Sequence, residues 1–265
     1  MSIMSTRLPG SWLNVFLSFC IGCGTWIGNP KEPDDSNNPK GNSDVEIEFV
    51  GSQSGANLTA SGVDVIDTNG NKIGTLALSQ ARLVLKEIKL NIDTGDTDDR
   101  QKFEGPYIVN LINNSIYPNP GTISINDGIY QEIELDLHKL EKDDVEGVQS
   151  GDPIIDQSIH LSGTYLPIEG GANRPFSMTF ELSEEFKINP SDGMGAEVSQ
   201  DVINTIVVAF DLDSWFDFSG MESDLSDIES NTIVLDEKSE DPAKSVQEAI
   251  KENIKDSADF SKKED

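Results

Sequence analysis

Cysteine is the residue that this chain most clearly lacks. Its 265 residues include only two cysteines, Cys20 and Cys23, and both lie in an apolar stretch near the N-terminus. The chain that follows them contains no thiol. An internal disulfide, a thiol nucleophile and a cysteine-based zinc site are therefore excluded from the main part of the chain.

Basic residues are scarce as well. The chain has 19 lysines and arginines against 48 aspartates and glutamates, which gives a formal charge of −29. Because contacts to phosphate groups come from lysine and arginine, this balance argues against binding to nucleic acid and against electrostatic docking on an anionic bilayer. We expect the acidity to keep an exported protein soluble and monomeric, and a surface tuned for cations is the alternative.

Motifs of catalysis are absent from the sequence. The only two histidines, His138 and His160, fall in strand-like patterns with nothing at a spacing that would complete a triad or a metal helix, so we interpret both as surface residues. There is no Gly-x-Ser-x-Gly elbow, no His-Glu-x-x-His and no phosphate loop. We predict that the chain is not an enzyme. A hydrolase that uses a pair of carboxylates stays open as an alternative, because so many acidic residues bring some together in any fold.

The apolar run near the N-terminus is short. Residues 12–21, WLNVFLSFCI, are fewer than the ~20 that a membrane-spanning helix needs, and their length suits a signal peptide. The Gly22-Cys23 pair that follows resembles the lipobox of bacterial lipoproteins, in which the cysteine is lipidated after cleavage. The resemblance implies a signal peptide over residues 1–22 and a membrane anchor on the lipidated Cys23.

The details of this motif favour the outer membrane. By the same resemblance, Gly24 in place of aspartate after the anchor cysteine implies outer-membrane location in the bacterial envelope rather than inner-membrane retention. Cys20 departs from the family pattern, which usually has leucine there, and as an anchor it would put Phe19 at a cleavage position that wants a small residue. Ordinary cleavage near residues 22–24 and an uncleaved anchor helix remain alternatives.

A polar linker separates this leader from the main domain. Residues 29–44 are mostly Pro, Asn, Asp, Ser, Gly and Lys and have no apolar period. We therefore divide the chain into a lipid anchor and linker over residues 23–44, a β domain over residues 45–218, and an acidic tail over residues 219–265. As a flexible coil the linker would hold the domain roughly 20–30 Å from the membrane.

Strand patterns fill the central region, most clearly in residues 121–140. There Ile129, Ile133, Leu135 and Leu137 alternate with Tyr130, Glu132, Glu134, Asp136 and His138, with Gln131 as the one interruption of the apolar side. This period of two predicts a strand with one face in the core and one in water, and the flanking turns predict an antiparallel partner.

Other stretches give the fold class. Residues 81–92 contain two alternating sets offset by one residue, which predicts a strand with a bulge near Lys86 and Glu87, and a helix is the alternative. Residues 204–212 predict an interior strand, and residues 185–198 a loop. Many short strands with frequent turns predict a mainly β protein, an antiparallel Greek-key β-sandwich, with a closed barrel as second choice.

The acidic tail contains one predicted helix. In residues 242–257 the apolar side chains of Val246, Ala249, Ile250 and Ile254 recur at helical spacing. This stripe predicts a short C-terminal α-helix that docks on the β domain, or alternatively contacts a partner.

Three parts of the domain resemble a known family. They are residues 81–90, the Gly128-Ile-Tyr130 turn that enters a strand, and Phe210-Asp211 followed by Trp215-Phe216. They look like a family of uncharacterised bacterial lipoproteins that carry a transthyretin-like β-sandwich domain of unknown function. The resemblance covers roughly residues 44–218, and the family brings no catalytic residues to carry over.

Two groups of residues are candidate binding sites. Asp93, Asp96, Asp98 and Asp99 crowd one predicted loop and could hold Ca²⁺, the only cofactor that the sequence suggests, although a solvated charge run is the plainer interpretation. Trp215 and Phe216 could form an exposed platform for a glycan, but aromatics beside an interior strand are more often core.

Together these observations predict an exported lipoprotein whose β domain is a non-enzymatic binding module of the envelope or cell surface. Its ligand, protein or glycan, is left open. The alternative from another class is a structural subunit that assembles by strand addition at an exposed sheet edge.

Overall fold

Two β-sheets contain most of the chain in the computed structural model, which describes residues 41–53, 56–57, 62–92, 100–142, 144, 148–168, 170–190, 193–200 and 204–263. The described residues belong to one unit that spans residues 40–265. The predicted signal peptide, Cys23, most of the predicted linker and the four aspartates of residues 93–99 lie outside the described residues.

In chain order the strands are β1 (Asn42–Gln53), β2 (Ala56–Asn57), β3 (Val63–Ile66), β4 (Lys72–Ile92), β5 (Arg100–Asn110), β6 (Ser115–Tyr117), β7 (Ile123–Asn126), β8 (Gly128–Leu137), β9 (Ile159–Pro167), β10 (Arg174–Phe180), β11 (Glu184–Ile188), β12 (Ala196–Val198), β13 (Asn204–Asp211), β14 (Ile233–Leu235) and β15 (Ala258–Lys262). The helices are α1 (Leu212–Trp215) and α2 (Ala243–Lys255), and a 3₁₀ turn covers Leu225–Asp227. The chain is therefore mainly β, as predicted.

The larger sheet is built around β4, a strand of 21 residues. On one side β4 pairs with β3 and β5. On its other side β4 pairs with β9 up to Leu83 and with β8 from Leu85 onward. These two strands therefore follow one another along the same edge of β4. Further out, β11 and β12 pair with β8, and β10 and then β14 continue from β9. Because β4 is so long, its first part pairs with β3 and β9 and its last part pairs with β5 and β8.

A bulge bends β4 where the sequence predicts one. The pairing register of β4 with both β5 and β8 shifts between Leu85 and Glu87. The extra residue lets Leu83 and Leu85 on one side of the bulge and Ile88 and Leu90 on the other all face the core. The helical alternative for this stretch is wrong.

The central strand β8 differs from its prediction at its first residues. Tyr130 is fully buried and Ile129 is 46 % exposed, which reverses the predicted faces of these two residues. The cause is a second bulge, because Ile92 pairs with Tyr130 while Asn91 pairs with Glu132, leaving Gln131 as an extra residue. From Ile133 onward the apolar residues lie in the core as predicted, but Glu134 on the opposite face is buried as well instead of facing water.

The smaller sheet has the strand order β15-β13-β1-β2, with β7 also paired to β1. The pairing of β1 with β13 is parallel, as is that of β10 with β14, so the prediction of a purely antiparallel array is wrong. The predicted interior strand at residues 204–212 is confirmed as β13, which lies between β1 and β15. The predicted loop at residues 185–198 is wrong, since it contains most of β11 and all of β12.

The chain after Phe218 is built into the two sheets. Strand β14 pairs with β10 in the larger sheet and β15 pairs with β13 in the smaller one. The predicted C-terminal helix is confirmed as α2, and its Val246, Ile250 and Ile254 join the hydrophobic cluster that both sheets share. Residues 219–265 are thus not a separate acidic tail, and helix docking rather than partner contact describes the apolar stripe of α2.

Candidate functional site

A large cleft lies at the end of the larger sheet where β4 begins. It has a volume of about 810 Å³ and is bounded by the β3–β4 turn, by the β9–β10 connection and by the residues that follow the 3₁₀ turn. Clefts of ~300–1,000 Å³ are typical of ligand-binding sites.

Arg174 and Tyr165 fix one side of this cleft. They are direct neighbours across β10 and β9, and the guanidinium lies 5.0 Å above the centre of the tyrosine ring. Arg174 also donates to the backbone carbonyl oxygens of Leu225 (3.0 Å), Ile228 and Ser230 (3.4 Å). One side chain therefore attaches the 3₁₀ turn and the loop after it to the sheet.

Tyr165 lies at the base of the cleft, and its position depends on Gly74. The ring is buried, its hydroxyl donates to the carbonyl oxygen of Ile73 (3.3 Å), and burial raises the pKa of the phenol. A Cβ on Gly74 would lie 2.4 Å from the Cε2 atom of Tyr165, so only glycine allows the ring to pack here.

The β3–β4 turn forms the opposite lip. Asp67 accepts hydrogen bonds from the backbone amides of Asn69 (2.9 Å) and Asn71 (2.7 Å), and these bonds hold the pKa of its carboxyl below the usual value. Gly70 takes a positive φ of 81° to close the turn. Lys72, the first residue of β4, forms an ion pair of 2.5 Å with Asp64.

Apolar residues and a polar loop that carries one carboxylate complete the lining. Ile73, Pro167 and Ile168 line one part, and Ile168 is 56 % exposed. Glu229, Ser230 and Asn231 are exposed on the loop that Arg174 holds. The cleft can therefore offer hydrogen bonds beside an apolar surface, which is the usual composition of a binding site.

Two smaller clefts lie at the far side of the β5–β6 hairpin. One of about 480 Å³ is lined by Glu104, Tyr107, Tyr117 and neighbouring prolines, and one of about 350 Å³ by residues of β1 and β6. Each is smaller than the cleft at Tyr165, and no arginine is among the residues that line either of them.

A buried polar cluster lies elsewhere on the larger sheet, around His160. Arg82 forms a bidentate ion pair with Asp152 (2.7 and 3.0 Å) and its Nη2 donates to the Nδ1 atom of His160 (2.7 Å). Burial and the neighbouring guanidinium lower the pKa of His160 to about 4. The prediction of a surface histidine is therefore wrong for His160, whereas His138 is half-buried.

A second buried charge is Glu134 of β8. It lies 3.2 Å from Lys89 and 3.3 Å from Lys187, and it accepts a hydrogen bond of 2.9 Å from Asn91. Despite its burial, these donors lower the pKa of Glu134 to about 2. The partners come from β4 and β11, so this cluster joins three neighbouring strands rather than lining a cleft.

Trp215 and Phe216 do not form an exposed platform. Both are fully buried. The indole of Trp215 packs edge-on against Phe210 and donates to the hydroxyl of Ser257 (2.6 Å), while Phe216 packs edge-on against Phe176. The glycan-platform hypothesis for this pair is therefore wrong, and the core alternative is right.

The structure does not test the other predicted sites. Cys23 and the four aspartates Asp93, Asp96, Asp98 and Asp99 lie outside the described residues, so lipidation and the calcium loop stay predictions. Within the described part of the chain, no group of three or more His, Cys, Asp or Glu side chains is placed to hold a metal ion.

The cleft residues were not singled out by the sequence. Tyr165 and Arg174 lie close together in the chain, Glu229 is distant from both, and the three fit no motif. The local signal was the turn-rich stretch of residues 167–175, since loops between strands carry binding residues more often than strands do. What brings it together with residues 225–231 is the parallel pairing of β14 with β10, which alternation alone does not reveal.

Comparisons with protein-family models, with curated proteins and with solved structures found no match to this chain. Among the described residues, none of the helices has both the length and the apolar character required to cross a membrane.

Proposed function

We propose that this chain is an exported bacterial lipoprotein whose β domain is a non-enzymatic binding module of the cell envelope. The observation that carries the proposal is the cleft of about 810 Å³ at Tyr165. Its walls are held by the Arg174 hydrogen bonds and by the Asp67 turn, so a ligand would meet a largely preformed site.

We further propose that the two sheets pack as a sandwich of the transthyretin-like type. The support is that inward-facing residues of both sheets join one hydrophobic cluster, as the two inner faces of a sandwich do. A scaffold of this kind suits binding, because the connections at its ends can vary while the sheets stay rigid.

The anchor is part of the same proposal. The Gly22-Cys23 motif and the polar linker after it support lipidation of Cys23 and attachment to the outer membrane. Cells fed labelled palmitate are expected to label the wild type and not Cys23→Ser. Absence of label from the wild type would contradict the anchor while leaving the binding module untouched.

The binding function is tested by blocking the cleft. Ala172 is exposed and lines the cleft, so Ala172→Trp fills the site without changing the core. Ser150→Trp, at an exposed position in another loop, is the matched control for an added indole. The melting temperature of each full chain is measured with a library of saccharides, amino acids, short peptides and nucleosides.

A ligand that binds the folded state raises its melting temperature. We expect at least one compound to stabilise the wild type and Ser150→Trp but not Ala172→Trp. A library without any stabilising compound, or stabilisation that Ala172→Trp retains, contradicts a binding module that uses this cleft.

A further inference from the structure

The ligand class of the cleft follows from which of its polar groups are already occupied. Arg174 directs its guanidinium to three backbone carbonyl oxygens and over the Tyr165 ring. Lys72 is paired with Asp64, and Asp67 accepts the hydrogen bonds of its own turn. The two cations and one of the two carboxylates of the cleft are thus engaged inside the protein.

Glu229 is the remaining charged group. It is exposed at the edge of the cleft and is engaged by no other described residue. A single exposed carboxylate binds a cationic ligand weakly, because surface ion pairs contribute only about 0–1 kcal/mol. An anionic ligand would find the donors of Arg174 already engaged by backbone carbonyl oxygens, on a molecule whose formal charge is −29. Both considerations favour an uncharged ligand.

The groups that remain suit hydroxyl groups. Glu229 offers carboxylate oxygens, Asn231 an amide, and Ser230 a hydroxyl whose oxygen accepts from the backbone amide of Thr232 (3.3 Å). A carboxylate accepts hydrogen bonds from neighbouring hydroxyls and an amide side chain both accepts and donates them, whereas a peptide backbone carries one donor per residue. These three consecutive residues form one polar edge.

Apolar groups lie beside this polar edge. Pro167, Ile168 and Ile73 line the cleft, and more than half of the Ile168 side chain is exposed. A sugar ring has the matching character, with C–H groups on its faces and hydroxyls around its rim. The volume of about 810 Å³ leaves room for more than one ring.

We infer that the cleft binds a neutral oligosaccharide, with its ring faces against Ile168 and Pro167 and its hydroxyls on Glu229, Ser230 and Asn231. This inference rests on the proposed function, since it names the ligand of the same cleft. It differs from the glycan platform at Trp215 and Phe216, which are buried in the core.

Calorimetric titration of the full chain tests the inference with named probes. The neutral saccharides are maltohexaose, cellohexaose and chitohexaose. The contrasting probes are a chondroitin sulfate hexasaccharide, hexalysine and a neutral hexapeptide of alanine and serine. Because a neutral ligand has no charge to screen, its affinity is expected to stay constant between about 50 mM and about 500 mM NaCl.

Substitutions at the polar edge test whether its side chains bind the saccharide. We expect Glu229→Ala and Asn231→Ala each to weaken saccharide binding about 5- to 10-fold, the usual effect of losing one or two hydrogen bonds. Glu229→Gln keeps an acceptor and should weaken it no more than about 3-fold. Glu222→Ala, at an exposed carboxylate outside the cleft, is the matched control and should leave affinity unchanged.

The outcomes separate the inference from the function on which it rests. Binding of at least one neutral saccharide, insensitive to salt and weakened by Glu229→Ala, supports both. Binding of only a charged probe or the peptide, blocked by Ala172→Trp, overturns the saccharide while the binding module stands. If no probe binds and no compound of the stability screen does either, both are overturned.

Discussion

At the scale of single residues, a few polar side chains determine the shape of this molecule. Arg174 is the clearest, because its hydrogen bonds to three carbonyl oxygens tie the 3₁₀ turn and the loop after it to the sheet. Hydrogen bonds from a charged donor contribute about 1.5–3 kcal/mol each when they are well buried, and less when partly exposed.

Replacing Arg174 should therefore affect stability and binding together. Arg174→Met keeps the length of the side chain but removes all of its donors, and we expect the free energy of unfolding in urea to fall by about 2–3 kcal/mol. Arg174→Lys keeps the charge over Tyr165 without the fork of donors and should lie between the wild type and Arg174→Met. An unchanged urea midpoint for Arg174→Met would contradict its role in holding the cleft.

His160 should make the protein sensitive to mild acid. Its pKa is about 4 in the folded protein, below the ordinary value of 6.5, because burial and Arg82 disfavour the charged ring. Above pH 6.5 the ring is neutral in both states and contributes no pH dependence. Between pH 6.5 and about 4 only the unfolded chain takes up the proton, so stability falls as the pH is lowered, by at most ~3 kcal/mol.

The variant that tests this is His160→Asn, which keeps an acceptor near Arg82 and cannot titrate. Urea unfolding across this pH range should show a flatter slope for His160→Asn than for the wild type. An equal slope in the wild type and His160→Asn would assign the acid sensitivity to other groups.

At the scale of elements, bulges in β4 and β8 determine which side chains of these strands face the core. The bulge of β4 was readable from the sequence, because its two apolar sets are each regular and are offset by one residue. The bulge of β8 was not read, although Gln131 interrupts the apolar side, because Ile129 and Tyr130 are both apolar enough to face the core. Which of them does so is decided by pairing with Asn91 and Ile92.

Removal of Gln131 tests the second bulge. Without this residue the strand would alternate regularly and would keep Tyr130 inward and Ile129 outward. Tyr130 is fully buried and its hydroxyl donates to the carbonyl oxygen of Asn126 (2.8 Å). We therefore expect the deletion to lower the free energy of unfolding in urea by no more than about 1 kcal/mol, whereas Tyr130→Ala, which empties this core position, should lower it by about 3–5 kcal/mol. A loss from the deletion as large as that from Tyr130→Ala would contradict Gln131 as the extra residue.

The long-range pairings are what the sequence could not supply. Local alternation identified most strands and the helix α2, but parallel pairs such as β1 with β13 join residues far apart in the chain. The acidic composition after Phe218 concealed the pairing of β14 and β15 with the two sheets, whereas the docking of α2 on the β domain was predicted from its apolar stripe. The cleft depends on these same pairings, and for that reason no sequence motif pointed to it.

The C-terminal helix should therefore be essential to stability. Ile250 is fully buried on α2, and Ile250→Ala is expected to lower the free energy of unfolding by about 2–4 kcal/mol. Glu248→Ala, on the exposed side of the same helix, should change it by less than about 0.5 kcal/mol. If Ile250→Ala caused only local fraying of the C-terminus and left the main unfolding transition unchanged, the C-terminal residues would behave as a separate tail.

At the scale of the whole molecule, charge governs association. A formal charge of −29 on a chain of 28.9 kDa gives strong mutual repulsion between copies. The alternative of assembly by strand addition has one structural feature in its favour, which is that β14 ends the path of the larger sheet with Val234 49 % exposed. That strand has only three residues, and short edge strands disfavour pairing between chains.

We accordingly expect a monomer at every accessible concentration. Sedimentation of the protein in physiological salt, where repulsion is partly screened, should give one species with the monomer mass. Association that rises with concentration and is abolished by Val234→Lys would instead favour a structural subunit that assembles through β14.

The central claim is that the cleft at Tyr165 is where this protein meets its ligand. Hydrogen exchange with and without the neutral hexasaccharides tests it most directly, because protection reports the backbone segments that a ligand covers or stiffens. The account predicts protection in residues 67–73, 165–174 and 225–231 of the wild type, and none in Ala172→Trp. Protection centred instead on the β5–β6 hairpin, or none at saturating saccharide, would contradict it.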